Sequence, residues 1–100
     1  MTDRELLEAA AKAEGHACPW MLPDRGGERP WNPLTDDGDA LRLAVALRME
    51  VTISPAGHTW ADDRSRRLAI AKEMHNHDPA AATRRAIVRA AAALSGGDAP

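Results

Sequence analysis

The sequence predicts an α+β fold: a small antiparallel sheet with two to three helices packed on one face. Three observations carry the prediction. Three stretches of helical period each begin at a capping residue: Thr2, Thr35 or Asp36, and Asp78. The run Glu50-Val51-Thr52-Ile53-Ser54 alternates, is β-branched, and is followed by a turn and a return. The third observation sets the size. Of 100 residues 44% are hydrophobic, but 21 are alanine, there is no Phe or Tyr, and the larger apolar residues number 23. That volume suits a thin two-layer core, so residues 1–95 read as one domain and 96–100 as a flexible tail.

Each element has its own justification. Over residues 2–14, Thr2 and Glu5 match a capping box and Met1 and Leu6 a hydrophobic staple. Leu6, Leu7, Ala10 and either Ala11 or Ala13 make an apolar stripe that stops at Gly15. Pro19, Pro23, Pro30 and Pro33 exclude helix from 16–34. There, Trp20-Met21-Leu22 and Arg29-Pro30-Trp31 flank Asp24-Arg25-Gly26-Gly27, the pattern of an irregular edge hairpin. With Pro23 across from Glu28, Trp20 would face Trp31 and the two rings would cover the core.

Residues 35–48 form the clearest helix. Asp36, Asp37 and Asp39 complement the positive end of its dipole. Leu41, Ala44, Val45 and Arg48 share a stripe that Leu43 and Leu47 widen, which predicts a central helix. The strand at 50–54 turns at Pro55-Ala56-Gly57 and returns through His58-Thr59-Trp60-Ala61. Hydrophobic register favours Ile53 opposite Trp60, with the turn centred on Ala56-Gly57. In 66–74, the period of two at Leu68, Ile70 and Met74 favours a third strand, although the Ala, Lys and Glu content would suit a helix. His75-Asn76-His77 is then a loop. Asp78-Pro79 opens the last helix with a cap and a proline at the first helical position. Its buried stripe is Ile87, Ala91 and Leu94 with Val88; Arg85 and Arg89 lie on the outer face, Arg84 borders it, and Gly96-Gly97 ends it.

The bulk properties exclude several classes of function. No apolar run approaches the roughly 20 residues that span a membrane. The charged start Met1-Thr2-Asp3-Arg4-Glu5 is unlike a secretory signal. A single cysteine cannot form an internal disulfide, which fits a reducing cytoplasm. Glycine-rich nucleotide loops are absent. Net charge is −2, with six basic and twelve acidic residues up to position 63 and seven basic and three acidic after it. The excess of arginine, eleven against two lysines, and the abundance of alanine read as the signature of a GC-rich genome.

Candidate chemistry is sparse. His16 and Cys18, with His75 and His77, offer nitrogen and sulfur ligands of the type zinc takes, but at spacings that match no zinc motif. Asp36, Asp37 and Asp39 supply clustered oxygens without a calcium-loop pattern, and helix capping accounts for them. No metal or other cofactor is expected. Cys18 beside His16 lacks a third, orienting group, so no catalytic constellation stands out and the chain is not expected to be an enzyme. Binding is the remaining class. Asp36, Asp37 and Asp39 could present an acidic face that mimics nucleic-acid charge. Arg84, Arg85 and Arg89, with Arg64, Arg66 and Arg67, could form a basic patch for nucleic acid or an acidic protein. A sequence pI near 6.0 argues against the nucleic-acid reading. With so thin a core, Trp20 or Trp31 left exposed would make a patch that a homodimer could cover, and the sequence does not decide between monomer and dimer.

Three stretches add a resemblance: Met1-Thr2-Asp3-Arg4-Glu5-Leu6-Leu7, the run from Trp31-Asn32-Pro33-Leu34-Thr35-Asp36-Asp37-Gly38-Asp39 to Val45, and Asp78-Pro79-Ala80-Ala81-Ala82-Thr83-Arg84-Arg85 to Ala91. Together they cover about half the chain, and only the middle one is distinctive. The chain resembles small uncharacterised proteins of temperate phages and prophages of proteobacteria. That resemblance implies no activity and no catalytic residues. It implies an accessory factor that binds a host or phage protein, a class that includes inhibitors of host defence such as anti-CRISPR proteins. The alternative is a nucleic-acid-binding regulator that uses the Arg-rich last helix.

Overall fold

In a computed structural model of the chain, residues 2–15, 21–24, 27–63 and 70–95 are described. The elements run α1 (Asp3–Glu14), β1 (Met21–Asp24), β2 (Gly27–Pro30), α2 (Asp37–Ala46), β3 (Glu50–Ser54), β4 (His58–Asp62), β5 (Ile70–Met74) and α3 (Pro79–Leu94). β3, β4 and β5 form an antiparallel sheet in that order, and β1 and β2 a separate antiparallel hairpin. The fold is α+β, as the sequence predicts.

α1 starts where its capping box closes. The Glu5 N–H donates to Thr2 Oγ1 at 3.1 Å and the Thr2 N–H to Glu5 Oε1 at 3.0 Å. Gly15 takes the left-handed cap at φ 95°. The β1–β2 register sets Pro23 opposite Glu28, as expected. Trp31 is 2% exposed and fills the core just beyond β2. The facing of Trp20 against Trp31, the Met1 staple, Leu68, and the Gly96-Gly97 stop all fall outside the described residues. The last described turn of α3 ends on Ser95 as C-cap.

α3, not α2, is the central helix. It packs on β4 and β5 and carries α1 and α2 along its flanks. The reason lies in side-chain size. Ala86, Ala90, Ala91 and Ala92 of α3 and Ala9, Ala10 and Ala11 of α1 are all buried, and alanine surfaces let helix axes approach closely. The abundant alanines are therefore more than a signature of genome composition: they build the α1–α3 contact. On α2 the buried set is Ala40, Leu43 and Ala44 with Asp39, while Leu41 and Val45 from the predicted stripe are 64% and 68% exposed. Leu41 and Leu43 stand about 200° apart around a helix, so only one of them can face α3.

The β3–β4 register also differs from expectation by one residue: Thr52 pairs with Trp60, and Ile53 with Thr59. The turn holds three residues, Pro55, Ala56 and Gly57. The Gly57 N–H donates to the Ser54 carbonyl at 3.1 Å, and Gly57 sits at φ 102°, a conformation that glycine adopts without penalty. The extra residue moves Trp60 to the outer face of the sheet. There Lys72 Nζ lies 5.1 Å from the ring centroid, and the His58 ring meets it edge-on at 5.9 Å. β5 is a strand, but Met74, expected inward, is exposed on that same outer face; Ala71 is the buried residue. The inner face is built from small residues because α3 lies directly on it.

Candidate functional site

The expected acidic cluster divides into a structural part and a surface part. Asp36 is the N-cap of α2, accepting the Asp39 N–H at 2.8 Å. Asp39 is 2% exposed, and its carboxylate joins three segments. It accepts from Arg29 Nη1 at 2.9 Å, from the Asn32 N–H at 2.9 Å and from Arg42 Nη2 at 2.7 Å. Burial opposes its ionisation, but hydrogen bonds from Asn32, Arg42 and Arg29 outweigh that penalty and hold its pKa below the usual aspartate value. Asp39 therefore ties the hairpin to α2 and is not part of an acidic exterior. Only Asp36 and Asp37 face solvent.

The arginines of α3 are likewise engaged within the fold. Arg84 donates to Asp37 Oδ1 at 2.6 Å and to the Leu34 carbonyl at 2.8 Å, joining α3 to the start of α2. Arg85 pairs with Asp3 of α1 at 2.9 Å. Arg89 holds the Glu73 carboxylate and donates to the Lys72 carbonyl at 3.1 Å. Each of the three expected patch residues thus ties α3 to a different neighbour. Arg64, Arg66 and Arg67 lie outside the described residues.

His16 and Cys18 also lie outside the described residues. His75 Nε2 stands 2.9 Å from Thr59 Oγ1, which is itself 3.0 Å from Thr83 Oγ1, so this buried hydroxyl is satisfied by hydrogen bonding. No group of three His, Cys, Asp or Glu side chains converges among the described residues. Among the same residues no helix is long and apolar enough to cross a membrane.

What sequence reasoning missed is an apolar groove of about 410 Å³ between α2, β3 and the first half of α3. Leu41 and Ile53 form its walls, Ala40, Ala44 and Ile87 line it more deeply, and the Asp37–Arg84 pair also belongs to its lining. It exists because α3 covers β4 and β5 but leaves the inner face of β3 partly open. Ile53 is 60% exposed, although its cross-strand partner Thr59 is fully buried. Two signals pointed to this groove: apolar residues on two faces of α2, and an isoleucine at the end of a strand.

No protein family, curated protein or solved structure matches this chain.

Proposed function

We propose that the protein acts by binding another protein through the groove between α2, β3 and α3. In keeping with the resemblance to small phage and prophage proteins, we read it as an accessory factor whose target is a host or phage protein, with inhibition of a host defence system as the specific role. The observation that carries the reading is the exposure of Leu41 and Ile53 at one concavity, in a chain that has only 23 large apolar residues with which to fill its core. Apolar concavities of this kind are where partner side chains dock. The rival reading, a nucleic-acid-binding regulator, is weakened because Arg84, Arg85 and Arg89 already serve intramolecular partners.

The test is retention of host-cell proteins by tagged protein, before and after nuclease treatment, beside the Leu41→Lys variant. A defined partner that survives nuclease and is lost with Leu41→Lys is the expected result. Retention that Leu41→Lys leaves unchanged would remove the groove from the reading. Retention abolished by nuclease would favour the arginines of α3.

A further inference from the structure

We propose that β3 pairs with β3 of a second copy, so that two molecules form one continuous six-stranded antiparallel sheet. The pairing does not depend on the protein-binding reading above. It starts from which backbone groups of β3 have no strand partner among the described residues. In an antiparallel sheet, alternate residues of a strand bond to opposite sides. The His75 N–H donates to the Gly57 carbonyl at 2.9 Å, in step with the β4–β5 register. Residues 57, 59 and 61 therefore bond towards β5, and His58, Trp60 and Asp62 towards β3. The outward Lys72 carbonyl, opposite Trp60 and taken by Arg89, has the phase this requires. Across β3 the same alternation turns Glu50, Thr52 and Ser54 to β4, and turns the N–H and C=O groups of Val51 and Ile53 to the open edge.

Those two residues define a self-complementary register. A two-fold axis through Thr52 sets Val51 opposite Ile53 of the second copy, and Ile53 opposite its Val51. Both outward residues then exchange hydrogen bonds, and Thr52 faces Thr52 as a non-hydrogen-bonded pair. A shift that sets Ile53 against Ile53 would bring Val51 against Pro55, which has no N–H to donate. The opposite shift would bring Ile53 against Met49, outside the strand. In the favoured register the charged Glu50 meets the neutral Ser54, so no like charges oppose each other.

The side chains agree with the backbone. The inner-face residues Val51 and Ile53 of each copy meet those of the other across the axis, at the groove that β3 shares with α2. Leu41 of α2 lines the same groove as Val51 and Ile53. Leu41 and Ile53, 64% and 60% exposed, are the side chains that this open edge leaves in solvent in the monomer. Two side chains alone fall well short of the roughly 800 Å² per partner that a stable interface buries. The dimer is therefore expected to be in concentration-dependent exchange with the monomer.

The test uses cysteine crosslinking in the full chain carrying Cys18→Ser, which removes the only native thiol. Thr52→Cys, on the axis, is expected to give a disulfide-linked dimer under mild oxidation, about tenfold more than Val51→Cys, which faces Ile53 instead. Sedimentation equilibrium of the unmodified chain is expected to show a monomer–dimer equilibrium that Ile53→Lys abolishes while circular dichroism stays unchanged. Equal crosslinking at the two positions, or a monomer at every concentration up to about 1 mM, would overturn the proposal. So would dimerisation that persists in folded Ile53→Lys.

Discussion

Along β5, Arg89 reaches across from α3, takes the Lys72 carbonyl and holds the Glu73 carboxylate, so this sheet edge is occupied from within the fold. Along β3, at the other edge, no described strand pairs on the outer side, and Ile53 stands largely in solvent beside the apolar groove. Edge strands are commonly protected by charge, proline or a covering element. One edge here follows that rule, and the other carries β-branched residues with proline only beyond its end, at Pro55. A small domain that protects one edge and leaves the other open has a directional surface. The open edge lies beside the groove proposed to bind a partner.

The contrast between the two edges is broken most severely at Asp39, which holds α2, one wall of the groove, in place. Asp39→Ala strands Arg29, Arg42 and the Asn32 N–H and is expected to cost about 2–4 kcal/mol in urea denaturation. The same contact makes a prediction about pH. The folded-state pKa of Asp39 is depressed, so its contribution is complete above the unfolded value of about 4 and is lost as pH falls through the lower folded value. Acid titrations of stability for the wild type and for Asp39→Asn should differ in that window and run parallel near neutrality.

At the protected edge, Arg89→Ala removes both contacts to β5 and is expected to cost about 1–2 kcal/mol, read by the same denaturation. If it costs nothing, the β5 edge is not held by Arg89 and the contrast between the edges weakens. A smaller effect of opposite sign is expected after α2. Arg48 occupies the left-handed position at φ 54°, where the Met49 N–H closes on the Ala44 carbonyl at 2.9 Å. Arg48→Gly relieves that strain and should raise stability by about 0.5–1 kcal/mol. Smallest of all, Ile53→Thr at the open edge should change stability by no more than about 0.5 kcal/mol, because the side chain gains little burial in the isolated chain.

The parts of the fold legible in the sequence are those set by local chemistry. Thr2 with Glu5, Asp36, and Asp78 with Pro79 start helices through bonds within one turn, and all three starts are found where the sequence placed them. Pro23 faces Glu28 because a short loop leaves the hairpin few registers. The candidate site was less legible. Asp37 and Arg84 are 47 residues apart, and nothing local announces that they meet in the lining of a groove. Asp39 read as surface charge because its partners Arg29 and Asn32 belong to another part of the chain.

By itself, then, the sequence determined the number, order and type of elements, the helix caps, and a core too poor in large side chains to be thick. Those follow from short-range hydrogen bonding and from composition. Only the tertiary structure decided which face of each element is buried. The three-residue turn ending at Gly57 turned Trp60 outward, and the close alanine contact made α3 rather than α2 the central helix. α3 then covered β4 and β5 and left β3 partly open. Which face is buried depends on what packs against it, and one residue of register or one choice of neighbour reverses the answer while leaving every local signal unchanged.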